Sequence, residues 1–241
     1  MEPAVLRDDM VDSLEHDAKG VVSTEAVGLA LREVPRHEFV ADDRTAYADQ
    51  AHDHGGTTVL SPSLVARLFE ALDVREGDSV LIVGAGVGYT AAVAAEIAGS
   101  RHVHAIDITR HVVYDARTNL ASAGYEDVFV DCRDGARGLP EYAPFDKILV
   151  EAAAVDPPRK LVDQLAADGR LVMPQGVGEQ HIVAVEDGEQ VDSYGPVAFA
   201  PLLVEGEQAG AIERNRTARE DRERAAQAVQ RGWEYDWIEW E

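Results

Sequence analysis

The sequence predicts an α/β fold, a doubly wound and mostly parallel sheet with helices on both faces. Three observations carry that reading. Short apolar runs at Val80–Val83, Val103–Ile106, Lys147–Val150 and Arg170–Met173 alternate with longer stretches of helical spacing, the pattern of a parallel sheet covered on both sides. The first run leads into three alternate glycines, Gly84, Gly86 and Gly88, with an alanine-rich segment behind them. The second run ends in Asp107, so an acidic side chain stands at the carboxyl end of the next strand.

The elements follow in order. Residues 1–40 read as helical, with Val22, Ala26, Leu29 and Ala30 at helical spacing and Ser23 or Thr24 as the N-cap. That helix ends at Val34, because the residue before Pro35 is pushed out of the α region. Residues 41–57 read as polar loop, ending in His54-Gly55-Gly56-Thr57-Thr58. Pro62 starts a helix at its first turn, with an apolar stripe of Leu64, Val65, Leu68, Phe69 and Leu72. Gly77-Asp78 turns into the first strand, and residues 90–98 form a helix that packs closely through alanine. A helix over 109–123 stops at Gly124, and Val128–Val130 is the third strand. Residues 157–167 read as a helix ending at Asp168-Gly169. Residues 181–186 and 197–204 read as later strands, separated by a turn-rich stretch from Asp187 to Pro196.

Bulk properties exclude several classes. A chain of 241 residues with 46% hydrophobic residues can bury a full core. No apolar run approaches the roughly 18 residues of a membrane span. The opening Met1-Glu2-Pro3 does not read as a secretory signal, and the single cysteine, Cys132, suits a reducing compartment. A cytoplasmic location is expected. The 45 acidic residues outnumber 22 basic ones, for a net charge of −23. Lysine occurs only at positions 19, 147 and 160. Such a surface repels nucleic-acid phosphates and anionic membranes, so neither is an expected partner. It stays soluble at high salt, where the Debye length falls to roughly 3 Å at 1 M, and it predicts a halophilic source.

The glycine loop has the spacing G-x-G-x-G, one residue tighter than the dinucleotide fingerprint. Alone, it is also what an ordinary tight strand-to-helix turn looks like. Asp107 can accept both hydroxyls of a ribose, or cap the next helix. Asp134-Gly135, after the third strand, can accept from an adenine amino group, or make a turn. Together, in this order and at these strand ends, they point to S-adenosyl-L-methionine rather than to a nicotinamide dinucleotide. His52-Asp53-His54 lacks an evident third ligand, so it reads as solvated loop and no metal is expected. Cys132 reads as a buried or half-buried thiol.

From Val21 to Leu203 the chain resembles the protein-L-isoaspartate (D-aspartate) O-methyltransferase family. The resemblance rests on Val34-Pro35-Arg36-His37-Glu38-Phe39-Val40, Ala46-Tyr47-Ala48-Asp49, the loop from Gly56 to Pro62, and Gly84 to Tyr89. Further along it includes Asp134-Gly135, Ala143-Pro144-Phe145-Asp146, Ala152-Ala153-Ala154, Gly169 to Pro174 and Phe199-Ala200-Pro201-Leu202. It implies a Rossmann-like class I methyltransferase fold. It implies methyl transfer from S-adenosyl-L-methionine to the carboxylate of L-isoaspartyl, and some D-aspartyl, residues of damaged proteins, which are then the partners. Gly84, Ala85, Gly86, Gly88 and Tyr89 would line the methionine and ribose portion. Asp107 with Ile108 would hold the ribose, and Asp134 with Gly135 the adenine. Thr58 and Val59 match the segment between cofactor and substrate. Leu60 stands where the family has a serine facing the isoaspartyl group, leaving Thr58 and Ser61 as neighbouring hydroxyls. Ile82 replaces an acidic residue two before the first glycine, and Glu151 replaces a threonine before the triple alanine.

This divides the chain into an N-terminal helical segment and substrate-side loop (1–57), a methyltransferase domain (58–205), and a charged helix with an aromatic tail (206–241). The tail from Trp233 to Trp240 holds all three tryptophans; it docks on the chain's own body or contacts a partner. The Leu60 position and the tail leave two other readings open. The chain reads as a halophilic archaeal member of the family or a divergent paralogue, and one alternative is a paralogue that binds the cofactor and serves as a protein-binding module with weak or no isoaspartyl activity. The other is a methyltransferase for another carboxylate.

Overall fold

A computed structural model describes residues 2–203. The expected helix over 206–231 and the tryptophan tail lie outside the described residues.

A seven-stranded sheet forms the centre, in the order β5-β4-β3-β6-β7-β8-β9. Its strands are β3 (Val80–Val83), β4 (Val103–Asp107), β5 (Phe129–Cys132), β6 (Phe145–Val150), β7 (Leu165–Gln175), β8 (Gln180–Glu186) and β9 (Glu189–Val197). β5, β4, β3, β6 and β7 pair in parallel, while β8 runs antiparallel to both its neighbours. The expected doubly wound sheet is present. Side-chain alternation along β3 feeds both faces: Val80 and Ile82 join the larger apolar cluster, Leu81 and Val83 the smaller one with Phe145 and Ile148. All four are buried, which is why this strand reads as an unbroken apolar run.

The helices are α1 (Pro3–Glu15), α2 (Glu25–Glu33), α3 (Pro62–Leu72), α4 (Tyr89–Ala98), α5 (Arg110–Ser122) and the short α6 (Arg159–Val162). α2 buries Val27, Ala30 and Leu31, with Val34 just beyond, and exposes Leu29. Its inward face is therefore the i, i+3, i+4, i+7 set beginning at Val27, not the face expected through Leu29. Thr24 is the N-cap by position, but its side chain does not cap. Instead Ser23 and Thr24 donate backbone and hydroxyl hydrogen bonds to the Glu70 carboxylate on α3. The Ser61 hydroxyl accepts from the Leu64 N–H and caps α3, with Pro62 at its first turn.

Four expectations are corrected. The segment 41–57 is not loop throughout: β1 (His52–His54) and β2 (Thr57–Val59) form an antiparallel hairpin. Gly55 and Gly56, both at positive φ, make its two-residue turn. The expected helix over 157–167 survives only as α6, because Leu165 already pairs with Phe145 of β6 at the start of β7, and pairing resumes at Arg170 after an irregularity. The turn-rich stretch before Pro196 is the edge strand β9, joined to β8 by Asp187-Gly188 at positive φ. The strand expected over 197–204 is, among the described residues, a single bridge between Pro201 and Ala153.

Candidate active site

The order of pairing reverses at β3 and β6, and their carboxyl ends are where a doubly wound sheet opens a crevice. Gly84 follows β3 and Glu151 follows β6 in matching register, since Val83 pairs with Val150. A cavity of about 220 Å³ lies here. Its walls come from the hairpin (Gly56, Thr57, Thr58), from Leu60, and from the strand ends at Gly84, Asp107 and Glu151. Gly135 and the segment from Ala198 to Leu203 close it. That segment is held by hydrogen bonds from Ala153 N–H to Ala200 O (2.8 Å) and from Leu202 N–H to Ala153 O (2.8 Å).

The glycine loop is anchored to β4. Gly84 and Ala85 donate to Ile106 O at 2.8 and 3.1 Å, and Gly86 donates to Asp107 Oδ2 at 3.2 Å. Gly88 donates to Ala85 O. These amides are spent within the protein, so the loop offers a ligand close approach more than hydrogen-bond donors. A Cβ at Gly86 would come within 3.1 Å of Thr57 Oγ1, and one at Gly88 within 3.1 Å of Leu120. Positive φ at both positions adds strain for any other residue. The hairpin therefore lies directly over the loop.

Asp107 is not the cap of α5; Thr109 holds that position. The Asp107 carboxylate accepts from the Thr109 N–H at 2.8 Å as well as from Gly86, and it lines the cavity. Burial pushes its pKa up, and these N–H bonds pull it part of the way back. Glu151 is further displaced. Its Oε1 is sealed from solvent without a hydrogen-bond partner. Burial foremost, with the Asp107 charge adding and the Thr90 hydroxyl opposing, leaves its pKa pushed up to about 8.

Of the residues singled out in the sequence, Thr58, Leu60, Gly84, Asp107, Ile108 and Gly135 meet at the cavity. The others stand behind it or beside it. Val59 is buried in the core. Ser61 faces the first turn of α3 and lies 3.3 Å from the Ser63 hydroxyl. Tyr89 is buried under the Arg36 guanidinium, 4.5 Å from its ring centroid. Asp134 accepts from the Ala136 N–H at 3.0 Å, with Arg137 3.7 Å away. Cys132 is half-buried, as expected.

Sequence reasoning missed Glu151 as a wall residue, and it missed the work of Arg36. This arginine is fully buried. Its Nε donates to Ala46 O at 2.8 Å and its Nη2 to Leu60 O at 2.7 Å, so it fixes the backbone at the cavity's Leu60 corner. Among the described residues the ionisable side chains on the cavity wall are Asp107 and Glu151, with no lysine or arginine. This fits a cationic, ribose-bearing ligand and disfavours a pyrophosphate.

The family described as protein-L-isoaspartate(D-aspartate) O-methyltransferase (PCMT) matches residues 7–207. The chain is 46% identical over 177 residues to a protein-L-isoaspartate O-methyltransferase of Methanocella arvoryzae, covering 70% of this chain and 94% of that one. It is 44% identical over 181 residues to protein-L-isoaspartate O-methyltransferase 2 of Archaeoglobus fulgidus, covering 72% and 83%. Among solved structures, a protein-L-isoaspartate O-methyltransferase superposes with a TM-score of 0.72 at 27% identity, covering 87% of this chain and 69% of that one. A Plasmodium falciparum protein of the same description, in complex with S-adenosyl-L-homocysteine, superposes with a TM-score of 0.73 over 81% of this chain and 97% of that one. At 20% identity it bears on the fold alone.

Proposed function

The chain belongs to the protein-L-isoaspartate(D-aspartate) O-methyltransferase family, and from that premise we propose how its own residues perform the reaction. The enzyme is an S-adenosyl-L-methionine-dependent carboxyl methyltransferase acting on L-isoaspartyl and D-aspartyl residues of damaged proteins, which initiates their repair. The observation that carries the assignment of the site is the cavity at the ends of β3, β4 and β6, whose described lining holds two carboxyl groups and no lysine or arginine.

When bound, S-adenosyl-L-methionine supplies a methyl group on a sulfonium, and the carbon–sulfur electron pair stays on sulfur as the acceptor oxygen takes the methyl. The acceptor is a carboxylate with an ordinary pKa near 4, already ionised at neutral pH, so no side chain has to remove a proton. The protein's task is binding and alignment, an effect worth up to roughly 7–11 kcal/mol. Asp107 would hold the ribose hydroxyls while keeping the glycine loop on β4. Gly84, Ala85, Gly86 and Gly88 would let the methionine portion approach the backbone, with Val59, Ile108 and Tyr89 as apolar support. Gly135 would give the adenine its close contact and Asp134 its acceptor. On the acceptor side, Thr58 presents a hydroxyl at the wall and Leu60 an apolar one, with Ser61 holding the start of α3. Residues 1–57 would form the N-terminal helical segment and substrate-side loop, and 58–205 the methyltransferase domain, whose first residues Thr58 and Leu60 also reach the acceptor. A cytoplasmic location accords with the single cysteine; no described helix is long and apolar enough to cross a membrane.

The chemistry is tested with donor labelled in its methyl group. Label transferred to a carboxylate is a base-labile ester and leaves as methanol at alkaline pH. Base-stable label would place the methyl on nitrogen or carbon and contradict the assignment.

A further inference from the structure

Glu151 follows β6 at the switch point of the sheet, beside the first glycine of the loop. A Cβ built on Gly84 would lie 3.6 Å from the Glu151 backbone. The side chain lines the cavity, and its Oε1 is shut from solvent without a partner. Among the described residues of the cavity wall no cation stands against it. β4 contributes Asp107, whose charge repels it; α4 contributes the Thr90 hydroxyl; β3 contributes the backbone of Gly84. The loop amides that might have served it are bonded to Ile106, Asp107 and Ala85. Ile82, on β3, is packed in the apolar core. Two carboxyl groups on one wall, with no basic residue among the described lining, form a site for a cation.

We propose that Glu151 is the counter-ion of the methyl donor's positive charge, and the residue by which this enzyme distinguishes the charged sulfonium donor from its neutral thioether product. The inference rests on the S-adenosyl-L-methionine reading above. Without ligand the Glu151 carboxyl, its Oε1 shut from solvent, is pushed toward its protonated form. A cation entering the same low-dielectric space favours the ionised form, so donor binding expels that proton. Methyl transfer consumes the donor's net charge together with that of the acceptor carboxylate. Glu151 is then left without a partner and takes a proton back, which weakens retention of the product. The stabilisation falls on the bound donor rather than on the transition state, so affinity reports it better than turnover.

The test is calorimetric titration of the full chain with S-adenosyl-L-methionine and, separately, S-adenosyl-L-homocysteine, for wild type and Glu151→Gln. The expected result is a loss of about tenfold or more in affinity for the donor with affinity for the product little changed. Equal losses for both would assign Glu151 to the part they share and overturn the proposal. Unchanged binding of both with slower transfer would make it a donor to the acceptor carboxylate and overturn it equally. A wild-type chain that binds neither would refute the cofactor reading itself. Should Glu151→Gln not fold, the wild type alone decides. Titrations in buffers of different ionisation enthalpy should show more proton release with the donor than with the product, and equal release would overturn the proposal.

Discussion

Three side chains carry most of the site's chemistry, and each has a measurable signature. Asp107→Ala removes a carboxylate that both lines the cavity and ties Gly86 to β4; donor affinity measured by calorimetry should fall about tenfold or more, since hydrogen bonds to a charged group are worth about 1.5–3 kcal/mol. Leu60→Ser introduces a hydroxyl at a wall position, and one such bond to the acceptor carboxylate should raise transfer to an isoaspartyl peptide by about one to two powers of ten. An unchanged rate would show that Thr58 or backbone already serves that carboxylate. Glu151 couples the site to stability. Its pKa is raised from 4.5 to about 8 in the folded chain, so between these values the native state binds more protons than the unfolded state. Glu151's own contribution to the stability of the ligand-free protein should therefore be full below the lower value and be lost as pH rises through the upper one. Thermal melts across that window should show the decline, and Glu151→Gln should flatten it. The glycines and Asp107 were legible because a strand, a glycine turn and an acid at the next strand end have a fixed spacing. Glu151 was legible only as a departure from the family's threonine. The available signal was its place after the fourth parallel strand, where a charged residue between an apolar run and three alanines can only face the crevice.

Among the elements, the hairpin of β1 and β2 and the stretch from Arg36 to Gln50 shape the acceptor side. The Val-Pro-Arg-His block that marks the family in sequence has a physical purpose here. The chain turns after Pro35 into a short 3-10 segment, Arg36–Phe39, which sends Arg36 inward to the carbonyls of Ala46 and Leu60 and over the Tyr89 ring. A lysine cannot span both carbonyls from one planar fork. Arg36→Lys should thus lose at least one charge-assisted bond, about 1.5 kcal/mol or more, seen as a lower urea midpoint at constant slope. The sheet core was readable because strands buried on both faces are unbroken apolar runs. β9 was not, since it is an edge strand exposed along most of its length, and its composition is that of a loop. Its Asp187-Gly188 turn was a usable hairpin signal. α6 was overestimated for the opposite reason: Leu165, Ala166 and Ala167 favour helix locally, and the pairing of Leu165 with Phe145 on β6 draws the segment into β7 instead.

Over the whole molecule, the excess of acid is the dominant feature. With 45 acidic and 22 basic residues, most carboxylates have no cation to pair with, and their repulsion opposes the compact state. Screening lengths fall from about 10 Å at 0.1 M salt to 3 Å at 1 M. The melting temperature should therefore climb with KCl, and the chain should lose helical signal on dialysis into dilute buffer; a melt insensitive to salt would contradict a halophilic origin. High salt is accordingly the condition for testing activity. The most direct measurement is methyl incorporation from labelled S-adenosyl-L-methionine into an isoaspartyl peptide and its aspartyl twin at molar KCl. A base-labile ester on the isoaspartyl peptide alone is the predicted result. Equal labelling of the twins, or none on either while the donor binds, would contradict the assignment of this cavity to isoaspartyl methyl transfer.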